Sequence, residues 1–179
     1  MGYAKACPEH LMRELRMGIA RLPRKKIRVL VADREGIFRL GLKKLFAVED
    51  DLRVVGEAEN AAQTVARAEA FRPDLVFIQE EILAESESNL ILAITKAVPN
   101  CKVVATSSSS SDESSLRHVR SGAAGVILKT VDPQLFIKCA RRVSVGETWV
   151  PVRQVTNMAK LLESGPANPP RGFAANFSR

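Results

Sequence analysis

The stretch Asp74-Leu75-Val76-Phe77-Ile78-Gln79 decides the fold. Four consecutive large apolar residues stand between an acid and an amide, with Arg72-Pro73 just upstream. A strand with one wet face alternates polar and apolar side chains. A short unbroken run reads instead as a strand buried on both faces, with helices above and below it. Ile27–Ala32 and Lys102–Thr106 read the same way, and Gly125–Leu128 supplies a shorter run. A fifth candidate, Leu52–Ala58, is more polar through Glu57, as suits a strand at a sheet edge.

Helical periodicity fills the intervals. Residues 36–47 place Phe38, Leu42, Leu45 and Phe46 on one face, and Asn60 with Gln63 forms a capping pair that opens an Ala-rich helix ending near Phe71. Leu90, Ile91 and Ile94 make a third apolar face before Pro99-Asn100, while Asp112 opens a mostly polar, weakly held helix that ends at Gly122. Asp132 as N-cap and Pro133 at the first helical position start the last one, with Leu135, Phe136, Cys139, Ala140 and Val143 on its inner face and Gly146 closing it. Five strand-helix cycles predict an α/β domain over residues 26–146, its parallel sheet covered on both faces.

The flanks differ from this core. Residues 1–25 read as a basic, disordered extension, within which Met12 and Met17 stand beside Met1 as candidate starts. Residues 147–179 read as a linker helix, with Val155, Met158, Leu161 and Leu162 on one side, running into a Pro/Gly-rich tail. The net charge of +7 belongs to these flanks: residues 1–26 hold seven Lys/Arg against two Glu, residues 147–179 hold four against two, and residues 27–146 hold sixteen against sixteen. The core therefore offers no net basic field to phosphate. Cys7, Cys101 and Cys139 are odd in number and far apart, which argues against a disulfide framework or a zinc site. No apolar run is long enough to span a bilayer and no secretory leader is legible, so a cytoplasmic protein without membrane contact is expected.

In an open α/β sheet the ligand site lies beyond the carboxyl ends of the strands. Those ends deliver Asp33-Arg34-Glu35, Gln79-Glu80-Glu81, Ser107 at the head of a serine run, and Lys129. The combination resembles the receiver domain of bacterial two-component response regulators of the LuxR/NarL class. The likeness is carried by Ile27–Asp33, Phe38-Arg39 with Gly41-Leu42, Val54–Ala58, Arg72-Pro73-Asp74 and above all Ser121-Gly122-Ala123-Ala124-Gly125-Val126-Ile127-Leu128-Lys129. It implies a flavodoxin-like, doubly wound (βα)5 three-layer sandwich with strand order 2-1-3-4-5. It also implies a linker helix leading to a helix-turn-helix DNA-binding domain, which residues 147–179 do not supply; without it, DNA binding by this chain is not expected.

The resemblance further implies phosphoryl transfer from a histidine kinase to an aspartate ending the third strand, with Mg²⁺ held by acids. Asp33 matches the first acid, Ser107 the hydroxyl that meets the phosphoryl group, and Lys129 its cation. The remaining positions depart. Gln79 stands at the acceptor, Arg34 at the second metal-binding acid, Ile82-Leu83 at the usual Met-Pro, and Val126 at the switch aromatic. An amide cannot form an acyl phosphate, and a guanidinium beside a metal site adds repulsion on the order of 4 kcal/mol or more at an effective dielectric near 20. The expectation is a pseudo-receiver whose pocket (Asp33, Arg34, Glu81, Ser107, Lys129) is vestigial, with Mg²⁺ binding lost or weak and no other cofactor. Arg34 is expected to fill the vacated metal position by pairing with Asp33 and Glu81. Such a module is not an enzyme; it would act through protein contacts, as a homodimer through a helix face and with a histidine kinase or another regulatory protein. Two other readings stay open: a receiver phosphorylated on Glu80, Glu81 or a serine, and a nucleic-acid-binding protein working through its basic ends. His10 and His118 have no partner within sequence reach.

Overall fold

The computed structural model describes residues 25–85, 90–108 and 112–150. Its sheet has five parallel strands, β1 (Ile27–Ala32), β2 (Leu52–Ala58), β3 (Leu75–Gln79), β4 (Lys102–Ser107) and β5 (Gly125–Leu128), in the order β2-β1-β3-β4-β5. The described helices are α1 (Gly36–Ala47), α2 (Ala61–Phe71), a short α3 (Glu80–Ala84), α4 (Leu90–Ala97), α5 (Asp112–Arg120) and α6 (Pro133–Ser144). This is the flavodoxin-like sandwich, with the polar strand β2 at the edge as its composition predicts. The linker helix expected over 155–162, Cys7, His10 and Ser109 to Ser111 lie outside the described residues.

Strand alternation builds both layers. Val29 and Val31 of β1, with Phe77, Val104 and Ile127, pack on Leu42 and Phe46 of α1 and on Phe136, Ile137, Ala140 and Val143 of α6. Leu30 and Ala32, with Val76, Ile78 and Val103, pack the opposite way on Ala68 of α2 and on Leu90, Ile91 and Ile94 of α4. Phe77 anchors the first layer, its ring centroid 5.9 Å from Phe46 and 5.8 Å from Phe136. Truncating a ring buried this well costs about 3–5 kcal/mol. Cys101 and Cys139 are buried and free. Burial, with the Asp74 charge adding to it, pushes the Cys101 thiol up to about 12, and burial pushes Cys139 up as well, so both behave as small apolar groups.

The caps fall where the sequence puts them. Asn60 Oδ1 accepts from the Gln63 amide at 2.9 Å, and the Gln63 side chain accepts from the Glu59 amide at 3.1 Å. Asp132 Oδ1 accepts from the Gln134 amide at 2.7 Å. Helix α2 ends on Arg72 in the left-handed region at φ 43°, a conformation that disfavours a side chain with Cβ.

Both rims of the sheet are irregular. On β2 the pairing steps from Val29↔Val54 to Leu30↔Gly56, so Val55 is an extra, bulged residue. On β5 the chain returns after Gly146, which takes φ 94° at the turn, and Trp149 bridges to Gly125. The Val126 amide donates to the Trp149 carbonyl at 2.8 Å, and the Trp149 amide donates to the Ala124 carbonyl at 3.1 Å. A Cβ at Gly125 would sit 2.6 Å from the Trp149 carbonyl oxygen, so only glycine admits this contact. Beyond Gly146 the described chain thus keeps contact with the sheet through Trp149. This attachment is made by the backbone of Trp149, so it leaves no periodic apolar signal in the sequence.

Candidate functional site

The carboxyl ends of β1, β3, β4 and β5 meet at one end of the sheet and bring Asp33, Gln79, Ser107 and Lys129 together. Each strand delivers its polar residue at the point where the apolar run stops, so the group is buried but faces the loops. Asp33 is fully buried. Its Oδ1 accepts from the Glu35 amide at 2.8 Å, an Asx-type turn that folds the chain into α1. Its Oδ2 lies 2.8 Å from Lys129 Nζ, an ion pair set off the ideal hydrogen-bond line. Lys129 Nζ also donates to Glu35 Oε1 at 2.9 Å and stands 4.6 Å from the Phe38 ring centre. Burial alone would pull the Lys129 ammonium down, but hydrogen bonds and charges from Asp33 and Glu35 together outweigh it, so its pKa is raised.

Gln79 is buried at the end of β3, and its Oε1 accepts from the Arg34 backbone amide at 2.8 Å. The amide thus serves as a structural clasp between β3 and the loop after β1. Immediately beyond it the chain enters α3, and Glu80 turns inward. Ser107 Oγ donates to Glu80 Oε1 at 2.7 Å. His118 Nε2 of α5 lies 3.7 Å from Glu80 Oε2.

Three sequence expectations change here. Glu81 does not line the pocket: it is exposed, and Glu80 takes the inward place. The reason is that a helix starts at Glu80, so successive residues are set about 100° apart instead of alternating as in a strand. Arg34 does not pair with Asp33 or Glu81. Its guanidinium pairs with Glu85 at the surface, because the single turn of α3 swings Glu85 back over the loop while Lys129 already holds Asp33. His118, without a partner in sequence reach, meets Glu80 through the fold. Val126, at the switch-aromatic position, is fully buried inside β5.

A divalent cation held by acids is what the fold family implies at this end of the sheet, and the donors do not fit one. Asp33 has one oxygen on a backbone amide and the other against an ammonium, Glu35 is bound to that same ammonium, and Gln79 offers an amide oxygen already in use. Among the described residues no group of three or more His, Cys, Asp or Glu is arranged to hold a metal.

Comparison with known proteins agrees with this fold. Residues 29–141 match the model of the response regulator receiver domain. The chain is 32% identical over 124 residues to the uncharacterized transcriptional regulatory protein YhcZ of Bacillus subtilis, covering 68% of this chain and 56% of that protein. It is 27% identical over 119 residues to the nitrate/nitrite response regulator protein NarL of Escherichia coli K12, covering 66% of this chain and 55% of that one. The chain thus spans little more than half the length of these relatives. In fold it is similar to a LuxR-family two-component response regulator from Aurantimonas, with a TM-score of 0.68 and 18% identity, covering 76% of this chain and 98% of that one.

Proposed function

The chain belongs to the response regulator receiver family, and from that premise we propose that it is a pseudo-receiver: a non-enzymatic, cytoplasmic signalling module of a two-component transcriptional regulator that is not phosphorylated and acts through protein contacts. One observation carries this reading. Every group that would serve phosphoryl chemistry is already engaged by the chain itself. Lys129 is held by Asp33 and Glu35, Ser107 by Glu80, and the acceptor position holds a Gln79 amide committed to the Arg34 backbone. In place of an exchangeable cation the pocket has a resident ammonium, and in place of an added anion it has the Glu80 carboxylate. The pocket is therefore fixed in one state, and Mg²⁺ has no role in it.

The partner surface follows from what the helices leave exposed. Ile37 and Leu40 on α1, Val48 just past its end and Val145 just past the end of α6 are exposed apolar residues on the same side of the sheet. A second copy turned by a two-fold axis can cover these apolar groups with its own. This face is the homodimer surface in our reading, with a histidine kinase or another regulatory protein as further partner.

Incubation of the protein with acetyl phosphate and Mg²⁺, read by intact mass, tests the central claim. No gain of mass is expected. One added phosphoryl group on Glu80, Glu81 or a serine would establish the alternative of a receiver with an unusual acceptor.

A further inference from the structure

At the end of the sheet opposite the Asp33 and Lys129 pocket, the amino ends of β1 and β2 border a depression of about 480 Å³. Lys25, Lys26, Arg28 and Arg53 line it, with Val54, Val55 and Phe71 as its apolar part. We infer that this depression holds single-stranded nucleic acid, its cations taking successive phosphates and Phe71 taking an unpaired base.

Among the described residues four cations line the depression and no acid does. The equal count of charges over residues 27–146 conceals this unevenness. Arg28 and Arg53 are partners in the parallel ladder, so their side chains leave the sheet side by side on one face. Like charges so placed repel, and an anion between them removes the repulsion. Among the described residues neither Lys26 nor Arg53 pairs with an acid. Lys25 reaches Asp74 only at 3.5 Å with its side chain 84% exposed, a pair worth little. In the sequence the basic run begins earlier, with Arg21 and Arg24, and so extends beyond what one small anion would use.

Phe71 supplies what an anion alone does not need. Its ring lies against β2 at Gly56, where an added Cβ would stand 2.9 Å from it, yet the residue stays 36% exposed. The Arg28 guanidinium donates to the Phe71 carbonyl, which holds charge and ring beside each other. An open aromatic ring bordered by cations is the combination on which bases stack while their phosphates are neutralised. A duplex keeps its bases in the stack and offers nothing to the ring. An acidic peptide would match the charge, but a peptide lying along β2 needs a regular ladder, and the bulge at Val55 breaks it within the depression. A nucleotide strand needs only phosphates and base faces.

The test uses the whole chain and a short fluorescent oligothymidylate, with binding read by anisotropy over a range of salt. The strand should bind, and more weakly as salt rises. Lys26→Gln combined with Arg53→Gln should weaken binding and flatten its log–log salt dependence by about 1.4, two phosphate contacts at about 0.7 each. Phe71→Leu should weaken binding about tenfold and leave that slope unchanged, while Phe71→Tyr, which keeps the ring, should bind as the unaltered protein does. Circular dichroism and Trp149 emission establish that each variant is folded; the exposed Lys26 and Arg53 positions carry the test even if Phe71→Leu fails to fold. Absence of strand binding overturns the site, and so does full-strength binding by the Lys26 and Arg53 double variant, which would belong to the basic flanks. The same strand paired with oligoadenylate binding as tightly overturns the role of the unpaired base. Polyglutamate or thymidine monophosphate displacing the strand as readily as unlabelled strand does would make the occupant an acidic peptide or a free nucleotide instead.

Discussion

Replacing Gly125 by alanine tests how the segment after α6 is fastened to the sheet. The added Cβ would lie 2.6 Å from the Trp149 carbonyl oxygen, 2.9 Å from its Cβ and 3.2 Å from its Cα. The first two are too short for any real contact, and two of the three atoms are backbone, so no rotamer change relieves the clash. Either β5 or residues 147–150 must give way. Because β5 is bonded to β4 over Val104↔Gly125 to Ser107↔Leu128, the outer segment is the one to move. Two backbone hydrogen bonds are then lost, Val126 to Trp149 and Trp149 to Ala124. At about 0.5–1.5 kcal/mol each, they amount to about 1–3 kcal/mol. The smaller conformational entropy of an unfolded alanine returns about 0.4–1 kcal/mol, leaving a net loss of about 1–2 kcal/mol. The assay is direct, since Trp149 is the only tryptophan in the chain. Gly125→Ala should shift its emission to the red and open it to acrylamide, while urea unfolding followed by far-ultraviolet circular dichroism moves only by that modest amount. Unaltered emission and quenching would refute the claim that Trp149 is seated against Gly125.

Lys129→Met should destabilise by about 3–5 kcal/mol in urea unfolding, because it leaves the buried Asp33 carboxylate without its cation. In the unaltered protein the Lys129 contribution should be complete below pH 10.5 and decline only as pH rises through the raised folded value, so a stability profile flat through that range would count against the ion pair. Asn60→Ala should cost about 1 kcal/mol by removing the acceptor for the Gln63 amide, measured by thermal or urea unfolding. Arg72→Gly should instead stabilise by about 1 kcal/mol, since glycine takes φ 43° without strain; a loss of stability would mean that the arginine side chain makes contacts that outweigh it. Leu40→Glu should shift the sedimentation of the chain from dimer to monomer with no change in its circular dichroism.

The fold was legible because its strands are long apolar runs whose length and composition leave one interpretation, and because Asn60 and Asp132 mark helix starts by side-chain chemistry that acts within three residues. The pocket was legible as a set of strand ends: Asp33, Gln79, Ser107 and Lys129 meet as their positions in the alternation require. What the sequence withheld is directional. Glu80 and Glu81 are chemically equal, and which one faces Ser107 depends on whether the chain leaves β3 extended or coils at once, a choice made by tertiary packing of Ile82. The Arg34–Glu85 pair needs that same turn. Trp149 could not be placed because its anchoring uses backbone groups, which every residue has.

The two spoiled rims of the sheet have a consequence for how this protein meets others. At β2 the extra residue Val55 throws the spacing of outward amides and carbonyls out of step, and at β5 the outward Ala124 carbonyl and Val126 amide are spent on Trp149. A neighbour that recognises by lengthening a sheet finds no regular ladder to read along either rim. Recognition must then pass through side chains on helices and loops, which differ from one sequence to the next where a peptide ladder does not. Partner choice in such a molecule can be rewritten by a few surface substitutions while every strand stays as it is.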